Sequence, residues 1–240
     1  MKLLKTTGIV SALALVAFSC GGSADTVETK DAQEVAAGSG QTLSLDHSTS
    51  KVNWRGYKPT GQHYGIIPIT GGELTVEGNE ITAGNFTFDI TALEIHDMEK
   101  SDENHTKLWN HLQSDDFFDA TNYPEAKFEV TEIISYGSGN LVEDKEEFAS
   151  DNTPKSASEL APDSPTHWIS GNLTMRGTTK NIKFPARISV DNNAVTAHAG
   201  FNIDRTEWGL SYGDEAGVAN KAADRFIYNS VSVEFDIKAN

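Results

Sequence analysis

A period-2 alternation of apolar and polar side chains constrains this chain more than any other feature, and residues 168–185 show it most clearly. Leu173 and Met175 share one face of an extended segment with other apolar residues, while the polar residues between them take the opposite face. Ile182 and Phe184 resume the alternation after a short glycine-containing loop. The stretch therefore predicts a β-hairpin with one face in a core and the other in water.

Similar alternation recurs along the chain and predicts eight strands. One amphipathic helix is predicted among them, at 101–112, with Ser101 or Asp102 as its N-cap. Consecutive antiparallel strands of about ten residues favour a sheet that closes on itself over a sandwich of short strands. We therefore predict an all-β fold, an eight-stranded antiparallel β-barrel with one short helical insertion. The predicted strands are 52–57, 66–76, 80–91, 126–136, 168–176, 180–190, 194–204 and 226–238.

The N-terminus has the pattern of a secretory signal. Two lysines precede an apolar run, and the small residue Ser19 stands directly before Cys20, the only cysteine. The run around Cys20 resembles a bacterial lipobox, in which the cysteine is acylated and becomes the mature N-terminus. Residues 1–19 are therefore predicted to be a lipoprotein signal peptide and Cys20 the lipidation site. A secreted protein with a free thiol is the alternative.

The remaining chain is predicted to hold one domain. Residues 20–42 are small and polar and lack aromatic side chains, which predicts a flexible tether. Residues 43–240 fit one barrel domain. Within it, residues 137–165 have almost no apolar content, which predicts a mobile insertion that contributes little to stability.

The charge and motifs exclude several function classes. A formal net charge of −16 disfavours nucleic acid, because phosphate binding depends on clustered Lys and Arg. The seven histidines have no metal-ligand spacing, so we predict no metal site and no catalytic residues. An envelope enzyme that acts on a lipid head group, with His63, His111 and Asp116 near the barrel opening, stays open as an alternative.

An ordered set of short motifs resembles the YceI family of periplasmic polyisoprenoid-binding proteins. The resemblance covers 43–240, and the combination of motifs is more specific than any one of them. The motifs are HYG at 63–65, HLQSDDFFD at 111–119, YP at 123–124, Phe128, GNLTMRGTTK at 171–180 and IDRTEWG at 203–209.

This resemblance implies a lipocalin-like barrel that holds a long isoprenoid chain in an apolar lumen. Such a protein would be a carrier or store with no cofactor beyond a bound polyisoprenoid or quinone-type lipid. Anchored through Cys20, it would lie in the periplasm of a bacterial envelope, at the outer membrane rather than the inner, and could form a homodimer. A structural or stress protein without ligand is a further alternative. The predicted ligand-binding residues are Trp54, Phe86, Phe88, Ile90, Phe128, Leu173, Met175, Phe201, Ile203 and Phe235.

Overall fold

A computed structural model describes residues 25–137, 147–191, 194–216 and 226–240, with twelve strands and two α-helices in those ranges. The helices are α1 (Glu103–Gln113) and α2 (Ala157–Leu160). The strands are β1 (Thr29–Lys30), β2 (Gln41–Ser44), β3 (Lys51–Lys58), β4 (Gly61–Ile67), β5 (Ile69–Glu77), β6 (Glu80–Asp89), β7 (Glu94–Ile95), β8 (Glu125–Ser135), β9 (His167–Met175), β10 (Thr178–Asp191), β11 (Ala194–Asp204) and β12 (Ser230–Ala239).

The strands form one antiparallel sheet that curls into a barrel. Its order is β2-β5-β6-β8-β9-β10-β11-β12-β3-β4-β7, with β1 paired outside this path to β10. Ser44 and Asn240 exchange two backbone hydrogen bonds, and Asp46 donates to the carbonyl oxygen of Lys238 at 2.8 Å. These bonds join β12 to the continuation of β2 and complete a ring of eight strands. The predicted antiparallel barrel is confirmed, with more strands than the eight predicted.

The inward side chains are those that the alternation predicts. Phe86, Phe128 and Phe201 belong to one buried apolar cluster inside the barrel. Gly171 is required there, because a Cβ atom at this position would lie 2.1 Å from the ring of Phe128. Glycine on β9 thus leaves room for the Phe128 ring, which extends from β8 over the inner face of β9.

Three predicted elements differ from the structure. The predicted strand 66–76 is two strands, β4 and β5, which Pro68 separates because proline has no N–H to donate to a ladder. Residues 226–229 precede β12 and form no strand. The predicted helix begins later, at Glu103, because the Asp102 side chain accepts a hydrogen bond from the Asn104 N–H and caps it.

Residues 25–40, which we call the N-terminal strap, lie on the outside of the barrel instead of forming the predicted flexible tether. Within the strap, β1 pairs with β10, and the Gln33 N–H donates to Asn172 Oδ1 at 3.0 Å. The Ala36 N–H donates to the Val130 carbonyl oxygen at 2.9 Å. The strap is held by hydrogen bonds of its backbone groups, which do not require apolar side chains.

The insertion predicted to be mobile also packs on the barrel where the structure describes it. Residues 138–146 lie outside the described residues, whereas α2 buries Leu160 over Gly200 on β11. Phe148 packs edge-on against Phe226 at a ring-centroid distance of 5.8 Å. Tyr228, which is fully buried, donates to the Phe148 carbonyl oxygen at 2.7 Å. The insertion therefore forms an outer layer over β11 and β12.

The sequence composition predicts that the insertion contributes little to stability. Its packing leads to the opposite prediction. Leu160→Ala should lower the free energy of unfolding by about 2 to 5 kcal/mol, because it leaves a cavity under a buried side chain. Ser158→Ala, at an exposed position on the same helix, should change it by less than about 0.5 kcal/mol. Urea denaturation of both variants measures the difference. Equal midpoints for Leu160→Ala and wild type would show that the insertion is not packed.

Candidate ligand cavity

An apolar cavity of about 330 Å³ lies at one end of the barrel. We call this the cavity end; β3 finishes there at Lys58, β9 at Met175 and β11 at Asp204. The volume is at the lower end of the range for small-molecule sites. The apolar lining residues are Trp54, Leu93, Leu108, Leu112, Phe117, Phe118, Met175, Ile203, Leu210, Ile227 and Val231.

Helix α1 covers part of this cavity and is fixed by two side-chain hydrogen bonds. Trp109 Nε1 donates to the Leu93 carbonyl oxygen at 3.0 Å, and Gln113 Nε2 donates to the Ile90 carbonyl oxygen at 2.8 Å. These bonds direct the apolar face of the helix, including Leu108 and Leu112, toward the cavity.

Arg176, in the turn between β9 and β10, connects two loops at the cavity end. Its guanidinium donates to the carbonyl oxygens of Phe117 at 3.0 Å, Gly209 at 2.6 Å and Asp115 at 2.6 Å. The two loops contribute Phe117 and Leu210 to the cavity lining. One side chain therefore sets the spacing between two parts of the wall.

Arg205 has a similar role at the cavity and is almost completely buried. It donates to the carbonyl oxygens of Tyr228 at 3.1 Å and Ile227 at 3.0 Å, and also to that of Leu210. Burial lowers the pKa of Arg205 to about 10, with Asp204 opposing the shift, so the side chain stays charged at neutral pH. Its positive charge interacts with backbone carbonyl oxygens that form part of the cavity wall.

The rim of the cavity carries two separate histidine–carboxylate pairs. His63 Nδ1 lies 2.7 Å from Asp97 Oδ2, and His111 Nε2 lies 3.1 Å from Asp116 Oδ2. The His111 ring packs edge-on against Tyr212 at a centroid distance of 4.5 Å. Lys58 and Gln62 complete an exposed polar edge. In the described ranges, no three His, Cys, Asp or Glu side chains are placed to hold a metal ion.

A second, smaller apolar cavity of about 60 Å³ lies deeper in the barrel. Along β11, Ile203 lines the large cavity and Ala199 the small one, and Phe201 stands between them. Phe201 stacks on Phe184 at a centroid distance of 4.2 Å. We call the packed rings the aromatic layer; its members are Phe88, Phe128, Phe184, Phe201 and Phe235.

The structure divides the predicted ligand-binding residues among three places. Those that line the large cavity are Trp54, Met175 and Ile203. Those that line the small cavity are Phe86, Phe128 and Phe235. The residues that line neither cavity are Phe88, Ile90, Leu173 and Phe201, all buried in the core.

Sequence reasoning missed the part of the lining that comes from α1 and the loops. Leu93, Phe117, Leu210 and Ile227 are the main examples. Ile227 was included in the predicted strand 226–238, but it precedes β12, which begins at Ser230. The apolar face of the predicted helix was the available signal for Leu108 and Leu112. Cys20, the predicted lipidation site, lies outside the described residues, and no helix in the described ranges is long and apolar enough to cross a bilayer.

Comparison with known proteins gives one family and a common fold. A family model described as YceI-like domain matches residues 43–239. A UPF0312 protein of Pseudomonas putida is 30% identical over 131 residues, 51% of this chain and 55% of the relative. A UPF0312 protein of Shewanella denitrificans is 28% identical over 109 residues, 43% of this chain and 44% of the relative. The chain thus spans about half the length of the curated relatives it matches.

Two solved structures share the fold at low sequence identity. BcnA of Burkholderia cenocepacia has a TM-score of 0.54 and 15% identity, over 82% of this chain and 99% of that protein. A polyisoprenoid binding domain from Saccharophagus degradans, implicated in plant cell wall breakdown, has a TM-score of 0.52 and 14% identity, over 86% of this chain and 99% of that domain.

The contacts of Arg176 generate a prediction about the cavity wall. Arg176→Lys should lower stability by about 1 to 3 kcal/mol, because one ammonium group cannot span three carbonyl oxygens as the planar guanidinium does. Amide hydrogen exchange should become faster around residues 115–118 and 209–212. Arg187→Lys is the control, since exposed Arg187 makes one long hydrogen bond, 3.4 Å to the Asp163 carbonyl oxygen. Unchanged exchange in both loops would contradict the role of Arg176.

Proposed function

Because this chain belongs to the YceI-like domain family, we propose that it binds an isoprenoid or similar lipid in the cavity at the end of its barrel and acts as a membrane-tethered carrier or store. The observation that carries this proposal is the cavity of about 330 Å³, whose lining is mostly apolar and whose two histidine–carboxylate pairs lie at the rim. Such a site holds an apolar tail inside and a polar head at the opening. The binding named for the Saccharophagus degradans domain of the same fold supports this choice of ligand.

The volume limits how much of the ligand the cavity holds. An apolar cavity of 150 Å³ binds benzene, so one of about 330 Å³ has room for on the order of a dozen carbon atoms, or two to three isoprene units. At about 0.8 kcal/mol per buried CH₂, these contribute about 8 to 10 kcal/mol before the costs of association. Affinity would therefore come from the buried length of the tail.

The rim favours binding over catalysis. The His111 ring is packed between Phe117 and Tyr212, with ring centroids at 4.9 and 4.5 Å, so it forms part of the wall. His63 is directed to Asp97 and His111 to Asp116, so each ring has a carboxylate partner of its own. In the proposed complex, these two histidine–carboxylate pairs contact a polar, uncharged lipid head group. The alternative in which His63, His111 and Asp116 act together as an enzyme site has less support.

Acylation of Cys20 is the second part of the proposal. The signal-like segment 1–19 and the lipobox-like run support an anchor in the bacterial envelope, on the periplasmic side. Gly21 follows the cysteine where an aspartate retains many lipoproteins at the inner membrane, which favours the outer membrane.

Cavity filling tests the ligand site directly. Val231→Trp places an indole in the large cavity and should reduce uptake of farnesol from micelles by at least tenfold, at a cost to stability of about 1 to 3 kcal/mol. Ile134→Trp, at an exposed β8 position, is the matched control and should bind like wild type. Native mass spectrometry without detergent measures bound farnesol per folded chain. Folded wild type that takes up no prenol would reject the proposed function.

The aromatic layer generates a prediction about ligand length. Phe201→Leu should open a path between the two cavities, so that the variant retains prenols longer than those bound by wild type. Phe226→Leu makes the same change in the outer layer and should cost similar stability, about 1 to 3 kcal/mol, without a change in ligand length. Each variant is mixed with prenols of increasing length, and native mass spectrometry shows which prenol it retains. Identical length preferences in Phe201→Leu and wild type would show that the layer does not limit the ligand.

A further inference from the structure

The N-terminal strap has a fixed starting point on the barrel wall. Thr26 forms a backbone bridge with Asn202, and the Val27 N–H donates to the Asn202 carbonyl oxygen at 2.8 Å. Asn202 is fully buried, and its Nδ2 donates to the Lys155 carbonyl oxygen at 2.8 Å. The chain is therefore held to the wall from Thr26 onward, under the packed insertion.

This starting point lies at the cavity end. Asn202 is two residues before Asp204, where β11 ends. The neighbouring residues Ile203 and Arg205 both line the large cavity. The preceding residues of the chain, which lead back to Cys20, consequently join the barrel beside the cavity and not at its far end.

The number of residues limits how far Cys20 can be from this point. Five residue steps separate Cys20 from Asp25, and at most about 3.6 Å per step gives a reach of about 18 Å. The far end of β11, at Ala194, is eight residues from Asn202, or about 27 Å along the strand and about 21 Å along the axis of a barrel with a 40° strand tilt. An anchor at Cys20 therefore favours the cavity end over the far end as the part nearest the membrane.

Exposed aromatic side chains mark the same end. Tyr212 lines the cavity rim and is 48% exposed, and Tyr123 is 38% exposed beside Gly177 in the turn between β9 and β10. Tyrosine is enriched where proteins meet the membrane interface, because its ring is apolar and its hydroxyl is polar. These two side chains give the cavity end groups that suit the membrane interface.

From these observations we propose that the cavity end of the barrel faces the lipid bilayer in which Cys20 is anchored, so that a lipid passes between bilayer and cavity without crossing bulk water. The inference rests on the proposed acylation of Cys20. Because the strap is fixed to the barrel, the orientation of the barrel on the membrane follows from the fold. A tether that was flexible over 20–42 would leave this orientation random. The partner surface is zwitterionic, since a chain with a net charge of −16 is repelled by anionic head groups.

The orientation can be measured with a fluorophore on a single introduced cysteine. Cys20 is the only natural cysteine, and its thiol is blocked when acylated, so labelling is specific. Ser211→Cys places the label at the exposed cavity end, next to Tyr212, and Glu80→Cys places it at the start of β6, at the far end. The acylated proteins are reconstituted in phosphatidylcholine vesicles that contain lipids with a nitroxide on the head group. We expect several-fold stronger quenching at Ser211→Cys than at Glu80→Cys.

A lengthened connection is the matched control. Twenty Gly/Ser residues inserted between residues 24 and 25 add an average reach of about 25 Å and should reduce the Ser211→Cys quenching to the level of Glu80→Cys. Recovery of the protein with vesicles should not change, because the anchor is the same.

The outcomes separate this inference from the proposal on which it rests. Equal quenching at both positions in acylated, vesicle-bound protein, or stronger quenching at Glu80→Cys, would overturn the orientation and leave the anchor intact. A chain whose mass shows no acyl group, and which stays off the vesicles, would overturn the anchor and the orientation together. Farnesol binding in solution is independent of both results and continues to test the cavity.

Discussion

Closure of the sheet is the constraint on which the rest of this structure depends. The backbone bonds between Ser44 and Asn240 turn an open sheet into a ring, so the apolar faces of eight strands meet in one lumen. Closure also leaves the polar faces on the outer surface of the barrel. Much of this outer surface is covered by other segments of the chain. Asn172, Asn202 and Ser232 point outward yet are buried, because the strap and the insertion form a second layer over them. The barrel is thus enclosed by its own chain on β9 to β12.

The alternation predicted which side of each strand faces the lumen, and it could do so because side-chain direction in a strand is a local property. It did not predict the strap or the packed insertion. Both are low in apolar content. The strap is held largely by hydrogen bonds, such as that from Asn172 Nδ2 to the Gln33 carbonyl oxygen at 2.7 Å. The insertion is held by hydrogen bonds, such as that from Asn202 Nδ2 to the Lys155 carbonyl oxygen, and by its few apolar side chains, Phe148 and Leu160. The signal was three asparagines on a face expected to be wet, Asn172, Asn181 and Asn202. A sequence pattern does not distinguish an exposed amide from one that binds a neighbouring segment.

The candidate site was predicted less well than the fold for a related reason. Alternation specifies the side of the wall but not the depth at which a side chain lies. Phe88 and Phe201 face the lumen as predicted, yet they close it by packing against Phe235 at ring-centroid distances of 6.0 and 5.8 Å. Depth depends on the register between strands and on what covers the end, and α1 and its loops supply the rest of the lining. Neither is encoded within a single strand.

Three side chains from the motifs that carry the family resemblance bind backbone carbonyl oxygens near the cavity end. Arg176 and Arg205 each hold carbonyl oxygens of separate segments, and Trp208 Nε1 donates to the Leu173 carbonyl oxygen at 2.9 Å. Many side chains that would touch a ligand, including Leu93 and Val231, lie outside these motifs. The motifs therefore contribute to how the opening is built, whereas part of the cavity lining comes from residues outside them. Under the proposed function, the choice of lipid then depends on the lining of this chain more than on the motifs.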